Sequence, residues 1–359
     1  MRRREPDLTV RELDTPVLTV DLDVVERNIA SMQARYDEAG FRLRPHIKTH
    51  KLPAIAHMQL RAGAPGITCQ KLGEAEVMAA AGIRDILMAF PIVGASKAAR
   101  FAALAAEIDM AAVGDSETVA LGLSAALAER GASAGFLVEC DTGFGRTGVQ
   151  TPDAAAELGA FADSLPGLSF RGFMTYPTLP ATGDFFAAAV EAVRARGLEP
   201  DWVSGGGTGQ ERWDAARGAG SITELRPGTY VYGDRTCLAD GSISVEDCAL
   251  HVRATVVSRP TATRAMIDAG SKALTSDTAP TLEGWGQILE HPEARLYLLN
   301  EEHGYVDVEA CAVQPQVGDV VTVLPNHACG TTNMHDEVVA HRNGTVVGVW
   351  PIAARGRLR

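Results

Sequence analysis

The sequence predicts an α/β chain: a (β/α)8 TIM-type barrel joined to a C-terminal, mostly antiparallel β domain. Two observations carry this. Between residues 43 and 228, eight short β-branched or apolar runs alternate with Ala-rich helical patterns. After about residue 240 the helical patterns stop, and short strands separated by turns take over. Strand–helix alternation calls for parallel strands covered by helices. Eight such units over roughly 200 residues suit a closed barrel. An open doubly wound sheet is the architectural alternative.

The eight runs are "LRPHIKTH" (43–50), "GITCQ" (66–70), "DILMAF" (85–90), "DMAAVG" (109–114), "GFLVEC" (135–140), "LSFRGFMT" (168–175), "DWVSGG" (201–206) and "ITELRPG" (222–228). Helical patterns such as "DSETVALGLSAALAERG" and "TPDAAAELGAFADSL" lie between them, several opening on Ser, Thr, Asp or Gly at an N-cap position. Beyond 240, "HVRATVVSRP", "TRAMIDAG", "ARLYLLNEEHGYVDV", "VGDVVTVLPNHAC" and "GTVVGVWP" read as strands and turns without helices. The opening "LTVRELDTPVLTVDLD" is also strand-like, precedes a helix over 24–38, and joins the β domain across the sequence. The expected boundaries are 22–240 for the barrel and 1–21 plus 241–359 for the β domain.

Composition excludes several classes. The chain has 359 residues, 46% hydrophobic and 22% charged, with a net charge of −12, which argues against a nucleic-acid partner. The six cysteines (Cys69, Cys140, Cys237, Cys248, Cys311, Cys329) show no CxxC spacing, so neither a disulfide framework nor a zinc finger is expected. "MRRREPDLTV" has basic residues with no apolar run behind them, so no secretory signal is expected. No stretch approaches the ~20 apolar residues of a membrane span. The expectation is a cytoplasmic protein with reduced thiols and no membrane partner.

Chemistry in a barrel sits where strands end and βα loops begin. Lys48, in "RPHIKTHK", falls at the end of the first strand between His46 and His50. A lysine there becomes a nucleophile when burial or nearby cations lower its pKa, and the usual partner for its carbonyl chemistry is pyridoxal 5'-phosphate. The competing reading is a solvated basic patch. Lys51 is expected to begin the next helix and face solvent, with His46 and His50 tuning Lys48. "SGGGTGQ" follows the seventh strand; Ser204, Gly205, Gly206, Gly207, Thr208 and Gly209 open a helix without the Walker ending. Unobstructed N–H groups there suit a phosphate, and barrels often bind one after strands 7 and 8. Tyr230, in "RPGTYVYGD" after strand 8, falls where remaining cofactor contacts come from; an ordinary Gly-rich turn is the alternative. In "PNHACGTTN", His327 and Cys329 are spaced i, i+2, so on a strand they share a face and make half a site for a divalent ion. A buried cysteine beside a surface histidine is the plainer reading. Arg146, Tyr176 and His303 are loop residues suited to cofactor ring contacts and, for His303, to substrate; each has a plain loop role as its alternative.

Taken in order, "DTPVLTVDLDVVERNI", "LRPHIKTHK", "CQKLGEAEVM", "VECDTGFGRTGV", "SGGGTG", "ELRPGTYVYGD", "EEHG" and "PNHAC" resemble the D-threonine aldolase and D-serine dehydratase family over residues 14 to 355. That family belongs to the pyridoxal-phosphate enzymes built on an alanine-racemase-type barrel. The resemblance implies that Lys48 is the Schiff-base lysine, that 204–209 hold the phosphate, and that His327 and Cys329 bind a divalent ion beside the substrate. It implies a homodimer. The ion is zinc, manganese or cobalt, with magnesium also admitted. The substrate is a β-hydroxy-D-amino acid.

Two outcomes are implied. Removal of the hydroxyl proton cleaves Cα–Cβ and yields glycine and an aldehyde. Removal of the α-proton by Lys48 expels the hydroxyl and yields a 2-oxo acid and ammonia. Retro-aldol cleavage is the first expectation, with His50 and His303 as further catalytic residues. The metal pair is His with Asp in the aldolase branch and His with Cys in the dehydratase branch, so Cys329 departs from the strict aldolase pattern. An amino-acid racemase and a non-catalytic pyridoxal-phosphate carrier are the rival readings.

Overall fold

In the computed structural model, which describes residues 8–277 and 281–359, the chain divides into two compact units. The barrel unit comprises residues 31–48, 52–228 and 356–359. The β unit comprises 49–51, 229–355 and the described residues up to Ala30. Residues 1–7, assigned above to the β domain and containing the basic N-terminal run, lie outside the described residues.

Eight parallel strands build the barrel unit in the order Ile67–Cys69, Asp85–Met88, Asp109–Gly114, Ala134–Glu139, Leu168–Met174, Trp202–Gly206, Glu224–Arg226 and Arg42–Leu43. A parallel bridge between His46 and Thr68 joins the two ends. All eight expected runs supply a strand, and helices such as Leu72–Ala80 and Glu117–Arg130 return the chain between them. The first strand is shorter than the expected 43–50. Pro45 has no N–H for the ladder, although its carbonyl accepts from Thr68 N at 2.8 Å. The Arg44 and His46 N–H groups still donate to the Leu225 and Pro227 carbonyls at 3.0 and 2.9 Å, and residues 47–50 then form a turn. One cluster of the core packs Leu87, Ala111, Val113, Leu137, Met174 and Trp202 together.

A second set of inward groups is charged. Arg44 (1% exposed) donates from Nε to Glu224 Oε2 at 2.9 Å and from Nη1 to Asp85 at 2.5 Å. Glu224 Oε1 accepts from Ser204 Oγ at 2.8 Å. Arg226 donates to Ser204 Oγ at 2.5 Å and to the Thr175 carbonyl at 2.7 Å. Burial works against the charge on Arg44, but Glu224 and Asp85 outweigh it and raise its pKa. Burial dominates at Arg226 and lowers it to about 10. Removing one partner of such a network leaves an uncompensated buried charge, which costs about 3–5 kcal/mol. Glu224→Ala is therefore expected to lose stability of that order in urea titrations. Asp85→Asn, whose carboxylate is partly exposed, is expected to lose clearly less; equal losses contradict this reading.

The β unit is a mixed sheet running Arg295–Leu299, Gly304–Asp307, Arg264–Ile267, Leu250–Thr261, Val17–Asp21, Glu337–Arg342 and Thr345–Pro351, with Val320–Pro325 branching from Leu250–Thr261 and Gly286–Ile288 pairing with Val320–Pro325. The N-terminal strand Val17–Asp21 lies inside it, antiparallel to Leu250–Thr261 and parallel to Glu337–Arg342. Leu250, Val252, Ala254 and Val256 are buried in alternation, as a half-covered strand requires. Short helices do occur here: Ser271–Leu274 and Ala328–Met334. They are too short to show a helical period in sequence.

His251 stands opposite Thr19, and its Nε2 is sealed without a partner. Burial lowers it to about 4, with neighbouring His341 adding to the effect against Asp21 and Glu290. The unfolded ring titrates near 6.5, so between pH 6.5 and 4 the unfolded chain binds the extra proton. Stability from this group is complete above 6.5 and lost as pH falls toward 4, by up to about 3 kcal/mol. Urea midpoints at pH 7 and 4.5 test this: His251→Gln should flatten the pH slope, and an unchanged slope contradicts it.

Candidate active site

The turn after the first barrel strand is braced from within. His46 Nδ1 accepts from the Lys48 N–H at 3.3 Å, while its Nε2 bonds Gln70 Oε1 at 2.9 Å. His46 is therefore engaged in holding the turn that carries Lys48. Lys51 is not a solvent-facing helix start. It is buried with φ 56° and precedes the helix Pro53–Ala62. His50 is fully buried in the β unit, edge-on to Tyr232 at 6.5 Å between ring centroids.

Lys48 Nζ lies 5.3 Å from the Tyr176 ring centroid, and the Arg146 guanidinium lies 4.7 Å from the same ring. Three residues expected at the site from three separate loops thus meet, with Lys48 and Arg146 both close to the Tyr176 ring. The loop carrying Arg146 is shaped by Asp141, whose Oδ1 accepts from Gly143 N, Phe144 N and Gly145 N at 3.0, 2.8 and 3.1 Å. Arg146 also pairs with Glu139 at 3.8 Å. Glu139 ends the fifth strand, is 2% exposed, and accepts from Thr147 Oγ1 at 2.7 Å. Burial pushes its pKa up, against Thr147 and Arg146.

The glycine segment ends the seventh strand beside Tyr176. A Cβ on Gly206 would stand 2.9 Å from both Tyr176 Cδ2 and Arg226 Nη2, so only glycine admits this approach. The Gly206 N–H donates to Thr178 Oγ1 at 3.0 Å. Gly209, at φ 119°, precedes the helix Gln210–Gly218 with no side-chain cap. Among the described residues, the N–H groups of Gly207, Thr208 and Gly209 donate to no protein acceptor. Thr208 Oγ1 accepts from the Gly228 N–H at 3.2 Å. Ser204 differs from its neighbours: its hydroxyl is buried and committed to Glu224 and Arg226.

In the β unit, His327 occupies the position just before the helix Ala328–Met334, without a side-chain capping bond, and Cys329 lies in its first turn, so the pair does not sit on a strand. The two still meet. A hydrogen bond between them, with the added pull of Asp234 and Asp277 against burial, pushes His327 up to about 9. Cys329 Sγ lies 3.1 Å from Thr49 Oγ1 and 4.0 Å from Thr229 Oγ1. Asp234 Oδ2 accepts from the Ala328 N–H at 2.9 Å and fixes the start of the helix. His327 Nδ1 bonds Asp277 Oδ2 at 2.8 Å. Among the described residues, no three His, Cys, Asp or Glu side chains form a group that could hold a metal. Tyr230 is buried in the short helix Thr229–Val231. His303 is exposed in the turn between Arg295–Leu299 and Gly304–Asp307, and its ring makes no hydrogen bond or ion pair among the described residues. Asp277, Thr49, Asp234 and Glu139 escaped the sequence reading. Glu139 alone carried a signal, as a carboxylate ending an apolar run.

The sequence pattern of the alanine racemase N-terminal domain matches residues 20–236, and that of the serine dehydratase domain matches 249–341. A D-threonine aldolase from Arthrobacter sp. is 36% identical over 98% of this chain and 95% of its own length. The chain belongs to the D-threonine aldolase and D-serine dehydratase family. Within that family, the structure of D-threonine aldolase from Filomicrobium marinum superimposes with a TM-score of 0.90 at 34% identity, covering 99% of each chain. D-threo-3-hydroxyaspartate dehydratase from Delftia sp. HT23 superimposes with a TM-score of 0.85 at 33% identity, covering 96% of this chain and 98% of its own. Two further structures of a dehydratase of that name carry a histidine-to-alanine and a cysteine-to-alanine change two positions apart, the latter in the metal-free form. Among the described residues, no helix is long and apolar enough to cross a membrane.

Proposed function

We propose that this protein is a pyridoxal-phosphate- and divalent-metal-dependent lyase that cleaves β-hydroxy-D-amino acids to glycine and an aldehyde. The observation that carries it is the gathering of Lys48 and Arg146 around Tyr176, near Gly207, Thr208 and Gly209, whose N–H groups are unspent among the described residues. That donor set fits the cofactor. Backbone N–H groups of Gly207, Thr208 and Gly209 at a helix start suit a phosphate dianion. Arg146 supplies a fixed cation, and Lys48 supplies the amine. When bound, the cofactor contributes an aldehyde for amine exchange and a ring that accepts the electron pair released at Cα.

The chain's own residues do the rest. Lys48 is the amine that would hold the cofactor's aldehyde carbon and, when not so engaged, would stand as a free amine beside the Tyr176 ring. Tyr176 shields one side of that amine from water, and Arg146 holds negative charge on the other reactants. His327 and Cys329 fit a divalent ion of borderline softness, which would supply Lewis acidity at the substrate hydroxyl. With only two protein ligands, the remaining positions stay open to substrate and water. His50 is the residue proposed to tune Lys48, and His303 the one proposed to reach the substrate. The identity to aldolases over nearly the whole chain supports cleavage of Cα–Cβ.

One observation favours a second reading. His327 and Cys329 stand two positions apart, as do the histidine and cysteine changed in the dehydratase structures, and in this reading Lys48 beside Tyr176 would take the α-proton. That reading yields a 2-oxo acid and ammonia. The expected homodimer and a cytoplasmic setting belong to the same proposal.

Lys48→Ala is expected to abolish the visible absorption of the lysine-linked cofactor and all turnover. Retention of that band in the variant contradicts the lysine assignment. Chelation is expected to suppress turnover of D-threonine, with zinc, manganese or cobalt restoring it; activity indifferent to chelator removes the ion from the reading.

A further inference from the structure

The short helix Ser271–Leu274, just before Asp277, is clamped to the helix bearing Cys329. Thr331 Oγ1 donates to the Leu274 carbonyl at 3.2 Å, and His335 Nε2 bonds the Ala273 carbonyl at 2.9 Å. Thr275 is buried and held at φ 66°, a left-handed conformation that costs a β-branched residue free energy. Its hydroxyl accepts from the Asp277 N–H at 3.4 Å. Gly330 lets this segment approach: a Cβ there would stand 2.7 Å from Asp277 Oδ2 and 3.0 Å from Thr275 Oγ1. A strained residue, a bare glycine and two side-chain bonds thus converge on one result. They set the Asp277 carboxylate 2.8 Å from His327 Nδ1.

We infer that Asp277 is the positioning residue of the metal centre, holding His327 with its Nδ1 protonated so that Nε2 is the nitrogen offered to the ion. A carboxylate on the second ring nitrogen fixes tautomer and ring orientation and makes the ligand more basic. Asp277 itself is spent on Nδ1, in keeping with the lack of any three-ligand group among the described residues. The inference rests on the proposed metal site at His327 and Cys329.

The test is zinc affinity of metal-stripped protein, measured by competition with a chromophoric chelator. Asp277→Ala is expected to weaken binding about 10- to 100-fold. Asp277→Asn, which keeps an acceptor for Nδ1 without the charge, is expected to recover part of the loss; it also guards against a folding defect in the alanine variant. His327→Ala is expected to abolish site binding. Asp277→Ala with unchanged affinity overturns the positioning role while leaving the metal site standing. Loss as complete as in His327→Ala, without rescue by Asn, makes Asp277 a ligand and also overturns it. Wild-type protein that binds zinc no better than His327→Ala removes the metal reading, and the inference falls with it.

Discussion

The buried pair of Arg44 and Glu224 is the constraint on which the barrel's working end depends. A guanidinium and a carboxylate removed from water are stable only when every remaining donor and acceptor is met. Meeting them recruits Ser204, then Arg226, then the carbonyl of Thr175. Thr175 immediately precedes Tyr176, and Arg226 also sets the wall against which Gly206 lies. One polar chain through the first, sixth, seventh and eighth strands therefore fixes the aromatic face and the glycine segment together. The conflict is visible in the arginines: Arg44 is held strongly charged, whereas Arg226 is pulled down by burial.

The two units contribute different kinds of group. The barrel supplies an amine, a guanidinium on an aromatic ring and unspent backbone N–H groups. The β unit supplies an imidazole and a thiol at the start of a seven-residue helix. The chain passes from one unit to the other between Lys48 and Thr49, and Thr49 Oγ1 is 3.1 Å from Cys329. The motif around Lys48 is thus divided: its lysine lies in the barrel unit beside Tyr176, and its threonine in the β unit beside the Cys329 thiol.

The barrel was legible because parallel buried strands leave continuous apolar runs, and each of eight runs became a strand. Lys48, Arg146, Tyr176 and the 204–209 segment stood out as candidates by their position after strands, and their roles belong to the proposal. Their company was not, since contacts between loops arise only on closure. The commitment of the Ser204 hydroxyl was not legible, because nothing local distinguishes a hydroxyl facing a phosphate from one serving a buried glutamate. Lys51 looked solvated because charge is the default sign of exposure, yet its positive φ turns it inward. Asp277 lies 50 residues before His327 in a segment without pattern, so no spacing rule could have paired them.

The measurement that bears most directly on the central claim is product analysis after incubation of the cofactor- and metal-loaded protein with D-threonine, D-serine and D-threo-3-hydroxyaspartate. The account predicts glycine with the matching aldehyde, from the D-isomers only. Ammonia with a 2-oxo acid would transfer the chain to the dehydratase reading that Cys329 favours. Metal-independent loss of optical activity with neither product set would contradict the lyase assignment altogether.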